Sequence, residues 1–386
     1  MRAETVTGLV PRLAIFYAAL FILLGIQMPF FPLWLDAKDV DSGMIGIILA
    51  APIVARLVAV PVFTRAADRR DAVRATLIVS GFAAAAGYVL VGLSAGAALI
   101  LVAYALTSLA TTPQMPLVET YALKELAARK RTYGPVRLWG SFAFIAGNLV
   151  AGFAADIIPA RDLIWLIVAA SVLITLAALA LPPMTPRAIE PSTPPVQQNL
   201  LRDRPFIAVI AAASLIQASH AEYYGFSAVQ WSAAGFDGTV VAALWALGVA
   251  AEIVLFALQS RLPLFFEPTV LLLTGACGGV LRWVGMAFDP PAFILAALQL
   301  LHALSFGATH LGALMFLVRH APPAQAATAQ GYLAIASGVA MAGAMALSGV
   351  LYRDFGSAAY AAMALMAIAG GACGLVAHRL GRDAAR

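Results

Sequence analysis

The sequence predicts an all-α membrane protein: twelve transmembrane helices in two six-helix bundles. Three observations point to that class. Hydrophobic residues make up 62% of the chain and charged residues only 11%, a composition outside the range of soluble domains. The apolar residues fall into some twelve long stretches, and nearly all ionisable side chains lie in the short gaps between them. A bilayer core about 30 Å thick takes roughly 20 apolar residues per helix, so 386 residues hold about a dozen spans with little left over. Finally, a polar, proline-dense stretch interrupts the pattern midway.

The first six spans are predicted at 11–35, 43–63, 73–93, 97–123, 135–157 and 162–182, and the second six at 206–231, 239–260, 269–288, 291–318, 326–350 and 357–378. The opening span is long enough to remain as a helix, so no cleaved signal is expected. Pro182, Pro183, Pro186, Pro191, Pro194 and Pro195 crowd the stretch between the sixth and seventh spans. Proline density and low hydrophobicity make it a linker outside the membrane. The expected organisation is a first bundle over 1–182, a linker over 183–204 and a second bundle over 205–386. Small residues such as Gly147, Gly152, Gly338, Gly343, Ser348 and Gly349 mark helix faces able to approach closely in lipid.

The net charge is +5, and its distribution follows topology rather than a nucleic-acid partner. Nineteen of the 24 Lys and Arg residues fall on one side of the predicted spans. Three (Lys38, Arg161 and Arg353) fall on the other, and Arg56 and Arg282 lie inside spans. Positive residues concentrate in cytoplasmic loops, so both termini and the linker are expected in the cytoplasm, with the chain in the inner (plasma) membrane. Cys277 and Cys373 both sit in apolar spans, a pattern that gives no disulfide framework or metal site. No metal or other cofactor is expected, and the partners are a small-molecule solute, a proton and membrane lipid, with the chain a monomer.

Between the second and third spans the chain runs Thr64-Arg65-Ala66-Ala67-Asp68-Arg69-Arg70-Asp71-Ala72-Val73-Arg74. Asp68 can face a helix N-terminus, where the dipole favours an anion, and Arg69 can pair across the half. Together they would form a gating latch.

Arg56, Glu222, Glu252 and Arg282 lie within apolar spans, accompanied by His220, His302 and His310. Each charge at mid-bilayer costs on the order of 3 kcal/mol by insertion scales. Such residues line a path or pair across helices. Gln217, His220 and Tyr224 share one helical face while Glu222 points elsewhere. Trp245, Gly248 and Glu252 form one stripe, and Gln299, His302 and Phe306 another. In the first half, Glu119 follows Pro113 and Pro116, and Arg137 opens a span in Tyr133-Gly134-Pro135-Val136-Arg137-Leu138-Trp139-Gly140-Ser141.

The loop at 64–74 resembles the signature Gly-x-x-x-Asp-Arg-x-Gly-Arg of the major facilitator superfamily, with Thr64 and Asp71 in place of both glycines. The plan of two six-helix halves with a linker is also that superfamily's, with the solute site between halves at mid-membrane. The segment from Val118-Glu119 to Arg137, with its 18-residue separation, resembles the lactose permease family. That resemblance implies that Glu119 and Arg137 bind solute and face each other in a cavity. The spacing from Arg282 to His302 matches the same family, but Ser305 stands where it has a carboxylate for proton transfer. Taken together, Tyr17, Pro29-Phe30-x-Pro32-Leu33, Tyr133-Gly134-x-x-Arg137-x-Trp139-Gly140-Ser141, Ser219-His220-Ala221-x-Tyr223-Tyr224, Leu244-Trp245-x-x-Gly248-Val249-x-x-Glu252 and Arg282-Trp283 resemble the 3-phenylpropionic acid transporter group, related to lactose permease and nucleoside–proton symporters.

The resemblance implies a proton-coupled symporter of a small organic solute, aromatic and other organic acids among the candidates. Glu119, Arg137, Trp139, Tyr223, Trp245 and Arg282 are the expected solute-binding residues. Arg56, Arg137 or Arg282 would meet a carboxylate, and Trp139, Trp245, Tyr223 and Phe306 would flank a ring. With Ser305 lacking a carboxylate, Glu252, Glu222, His302 and His220 are the candidates for the proton. An exporter working by proton antiport is the alternative reading, and a polytopic membrane enzyme a minor one. The chain is not expected to be an enzyme: it carries no Gly-x-Ser-x-Gly elbow, P-loop or Asp-rich motif.

Overall fold

In lipid a backbone must satisfy its own hydrogen bonds, and this chain does so with helices throughout. The computed structural model describes residues 4–184, 199–261, 267–322 and 325–384. In chain order the α-helices are α1 (Glu4–Ala37), α2 (Ser42–Arg69), α3 (Val73–Leu93), α4 (Ala97–Thr111), α5 (Gln114–Ala128), α6 (Gly134–Ile157) and α7 (Ile164–Ala180). The second half contains α8 (Arg204–Ala218), α9 (Ala221–Ala233), α10 (Gly238–Leu258), α11 (Pro268–Met286), α12 (Ala292–Leu300), α13 (Thr309–His320), α14 (Ala326–Phe355) and α15 (Tyr360–Ala384). Among the described residues, eleven segments are long and apolar enough to cross a bilayer, and the last, Ala326–Gly381, spans α14 and most of α15. These two part at Gly356, whose φ of +55° suits a residue without a Cβ. The twelve predicted spans are therefore present. Most of the expected linker, residues 185–198, lies outside the described residues.

Three spans are not continuous helices. The predicted 97–123 divides into α4 and α5 at Thr112–Pro113, because a proline cannot donate into the helix it interrupts yet fits the start of the next. The predicted 206–231 divides into α8 and α9 at Ser219–His220. There the Ser219 hydroxyl donates to the Ile216 carbonyl, and His220 Nδ1 approaches the carbonyls of Ile216 and Gln217, so side chains satisfy acceptors that the break releases. The predicted 291–318 contains a π-helical segment, Ala303–Ala308, between α12 and α13. The signature loop is also shorter than predicted. Helix α2 runs on to Arg69, and Asp71, where the family pattern has a glycine, holds φ +47°.

Contacts divide the chain into two units, Met1–Ile189 with Trp231–Ala243, and Glu190–Gln230 with Leu244–Arg386. In the first, α1 packs most extensively on α6, α3 on α7 and α4, and α2 on α4. A Cβ on Gly25 would sit 2.2 Å from the Phe144 carbonyl oxygen, and one on Gly147 2.6 Å from that of Ile22. The α1–α6 crossing thus depends on absent side chains. The start of α10 belongs to this unit. Asp156 accepts from Gly238 N (2.5 Å), Thr239 N (3.1 Å) and the Thr239 hydroxyl (2.5 Å), and Asn148 Nδ2 donates to the Ala242 carbonyl (2.7 Å). At the other end of the unit, Arg12, Arg74 and Tyr121 donate to the carbonyls of Leu179, Ala180, Leu181 and Pro182. Donors from α1, α3 and α5 in this way satisfy the exposed C-terminus of α7. In the second unit α8 packs against α14 and α15, and α11 against α15, α13 and the π segment.

Candidate functional site

The second unit gathers its polar residues around Arg282 of α11, which is fully buried. One guanidinium nitrogen donates to Gln299 Oε1 (2.5 Å) and another to His302 Nδ1 (2.9 Å). The guanidinium also lies over the rings of Tyr223 (4.3 Å) and Trp283 (4.7 Å), an arrangement worth a few kcal/mol when desolvated. Since a guanidinium only donates, His302 Nδ1 must accept, which leaves the imidazole proton on Nε2. That nitrogen lies 3.5 Å from Glu252 Oε2. The order Arg282–His302–Glu252 therefore runs from cation through a neutral imidazole to a carboxylate.

A second imidazole is fixed in the opposite sense. His220 Nδ1 faces two backbone carbonyls and so carries the proton, and its Nε2 accepts from the Ser305 hydroxyl at 3.1 Å. Ser305 stands where the lactose permease pattern has a carboxylate, and here it is the partner of His220. The π segment brings this about: Gln217 Nε2 donates to the Phe306 carbonyl, His302 stacks on Phe306, and Phe306 on His310. Rings complete the wall. Tyr223 stacks on Trp245 (4.5 Å between centroids), whose indole donates to Ser227, and the Trp283 indole donates to Ser219. Buried donors are left over: Arg282 Nε and Gln299 Nε2 have no hydrogen-bond partner. Buried N–H groups are rarely orphaned, so a site that keeps two is short of an acceptor.

In the first unit Glu119 of α5 and Arg137 of α6 both act on a tyrosine pair, Tyr17 and Tyr133, whose hydroxyls are 3.2 Å apart. Burial, with the Glu119 carboxylate adding to it, raises the Tyr133 phenol above its ordinary range. Arg137 lies 4.2 Å over the Phe21 ring. Among the described residues, Glu119 and Arg137 form no ion pair with one another, so the face-to-face contact implied by resemblance is replaced by a four-residue group including both tyrosines. A second polar group in this unit joins Tyr88, Gln27 and Tyr104 in one chain of hydrogen bonds.

Of the predicted residues, Tyr223, Trp245, Arg282, Glu252, His302 and His220 come together. Trp139 does not join Arg137: it is 60% exposed, among the exposed apolar residues Leu138, Phe142 and Phe153 of α6. Residues two apart on a helix point to opposite sides, and that spacing separates it from Arg137. Among the described residues, the Asp68 carboxylate accepts no hydrogen bond from a helix N-terminus. It pairs at 3.2 Å with Lys124 near the C-terminal end of α5, and Arg69 is exposed. Arg56 is also exposed. Glu222 is fully buried, and among the described residues no hydrogen bond or ion pair joins it to Arg282. Sequence reasoning missed Ser219, Ser227 and Tyr360, because small hydroxyls and one tyrosine among ten carry no signal until the fold places them.

With this geometry in view, comparison with known proteins gives a consistent result. A family model described as "MFS_1 like family" matches residues 10–363. The chain is 30% identical over 371 residues to a protein of Escherichia coli (strain K12) named "Probable 3-phenylpropionic acid transporter", covering 92% of this chain and 94% of that one. It is 28% identical over 332 residues to the maltose permease of Geobacillus stearothermophilus, covering 84% and 83%. Among solved structures, the nucleoside transporter NupG superposes with a TM-score of 0.79 at 15% identity, over 96% of this chain and 98% of that one. A bacterial homolog of the human lysosomal transporter Spinster, inward-facing and unoccupied, gives 0.76 at 13%, over 98% of each.

Proposed function

This chain belongs to the MFS_1 like family and is a multi-pass membrane transporter of the major facilitator fold, and from that premise we propose that it carries a small organic acid together with a proton. The observation supporting an acid is the pair of orphaned buried donors, Arg282 Nε and Gln299 Nε2. A solute carboxylate supplies the acceptors they lack, and charge-assisted bonds of this kind are the strong ones. The surrounding aromatics Tyr223, Trp283 and Trp245 suit an apolar, ring-bearing remainder. The name of the Escherichia coli relative supports the same class. Glu119 and Arg137, with Tyr17 and Tyr133, are the proposed contribution of the first unit to solute binding. The transporter works as a monomer by alternating access, with both termini in the cytoplasm.

The proton is the proposed source of energy, since the sequence contains no nucleotide-binding loop. One charge crossing 100 mV releases about 2.3 kcal/mol, roughly a fifty-fold gradient of solute. Glu252, Glu222, His302 and His220 are the candidate carriers. The test is accumulation of radiolabelled 3-phenylpropionate in proteoliposomes under an imposed inward proton gradient. Accumulation that collapses with an uncoupler supports the reading. Uptake indifferent to the uncoupler rejects symport, proton-driven efflux rejects the direction, and maltose transport in preference to the acid rejects the solute class.

A further inference from the structure

Four groups were candidates for the proton, and the hydrogen bonds thin them out. Both imidazoles are committed as neutral tautomers: His302 Nδ1 accepts a hydrogen bond from Arg282, and His220 has carbonyls on one nitrogen and Ser305 on the other. A second proton on His302 would displace the Arg282 bond and set a cation against a cation. Glu252 faces the His302 N–H and balances the Arg282 charge. Glu222 is different.

Glu222 lies in the first turn of α9 with no solvent exposure, and neither carboxyl oxygen has a hydrogen-bond partner. Two other buried polar atoms share that condition: the Ser348 hydroxyl of α14 and the Tyr360 hydroxyl of α15. Both neighbour Glu222, Ser348 beside the carboxyl and Tyr360 within its electrostatic reach. Arg282, Tyr223 and Tyr352 also lie within electrostatic reach of the Tyr360 phenol. Trp283, which lies against Arg282, stacks on the Tyr360 ring at 5.8 Å. Among the described residues, no lysine, arginine or histidine pairs with Glu222.

An ionised carboxylate without a cation or donors is the most expensive thing to bury in a protein, whereas a neutral carboxyl is tolerable and has a proton to donate. A metal ion fits poorly, since one carboxyl and two hydroxyls fall short of the six or more oxygens a hard cation collects. We propose that Glu222, with Ser348 and Tyr360, is a proton-binding site separate from the Arg282 solute site, and that Tyr360 links the two. The proposal rests on the proton-coupled reading above and names its carrier.

The experiment follows the proton alone and needs no solute. Purified protein in nanodiscs is titrated with base while the infrared stretch of protonated carboxyl groups is recorded. Wild type is expected to show a buried carboxyl band that vanishes at alkaline pH, and Glu222→Gln to lack it. A band absent from wild type, or persisting in Glu222→Gln, overturns the assignment. So does a band that never titrates while the protein stays folded, because a fixed proton cannot be carried. Loss of the band on adding sodium at constant pH also overturns it, in favour of a metal ion. Should Glu222→Gln fail to fold, Tyr360→Phe decides: it leaves the carboxyl in place, and the band must shift as its neighbour disappears; an unmoved band refutes the link. In Arg282→Gln the band should persist while 3-phenylpropionate binding is lost, so failure of the solute reading stays distinguishable from failure of this one.

Discussion

Arg282 shows what a planar cation does that a point charge cannot. Its fork reaches Gln299 and His302 at once while its face lies on two rings. A lysine ammonium has neither the fork nor the flat face. Arg282→Lys should therefore fold but lose tenfold to a hundredfold in 3-phenylpropionate uptake, the equivalent of the roughly 1.5–3 kcal/mol in a hydrogen bond to a charged group. Unchanged uptake would remove Arg282 from the site. At the surface, Asp71 adopts a left-handed conformation that glycine adopts freely. Asp71→Gly should raise stability by about 0.5–1 kcal/mol, visible as a higher melting temperature; a lower one would mean that the Asp71 side chain contributes something the backbone argument omits.

At the scale of helices, apolar length made the spans legible, and helical phase grouped His220 with Tyr224 and His302 with Phe306, pairs whose rings stack in the structure. The interruptions were not legible. Ser219 and His220 end α8 because their side chains reach backbone carbonyls, and Ala303–Ala308 widens into a π segment. Hydropathy registers neither, since both lie inside unbroken apolar runs. The same limit hid the exposure of Trp139, which lies among other exposed apolar residues of α6. Close helix crossings were visible only as composition. At Gly25 a side chain would collide with the Phe144 carbonyl, which is backbone and cannot swing aside. Gly25→Leu should prevent folding, giving aggregated or absent protein by size exclusion in detergent; a monodisperse, active variant would contradict the packing of α1 on α6.

For the molecule as a whole, charge sorting is the feature the sequence displays most openly. Nineteen of 24 cations fall on one side of the predicted spans, and such an asymmetry is expected to set orientation through the electrostatics of insertion rather than through any folded contact. A fluorescent-protein fusion to the C-terminus should glow, and an alkaline phosphatase fusion at the same point should be inactive, since that enzyme needs the oxidising side. The reverse pattern would overturn the orientation. What the chain transports was less legible than how it lies in the bilayer. In the proposed reading, solute choice depends on a few donors whose neighbours come from α8, α9, α11, α12 and the π segment, scattered over some hundred residues of sequence.

The widened turn at Ala303–Ala308 has an outcome for how such a site can be lost. A π turn holds one residue more than an ordinary helix would use. Deleting any single residue there would let the backbone heal into a regular spiral, well bonded and at ease in lipid. Everything beyond it would then rotate by roughly 100°, changing the register between His302 and His310. Such a shortened chain would reach the membrane intact and carry nothing, a failure that a measurement of stability would score as an improvement.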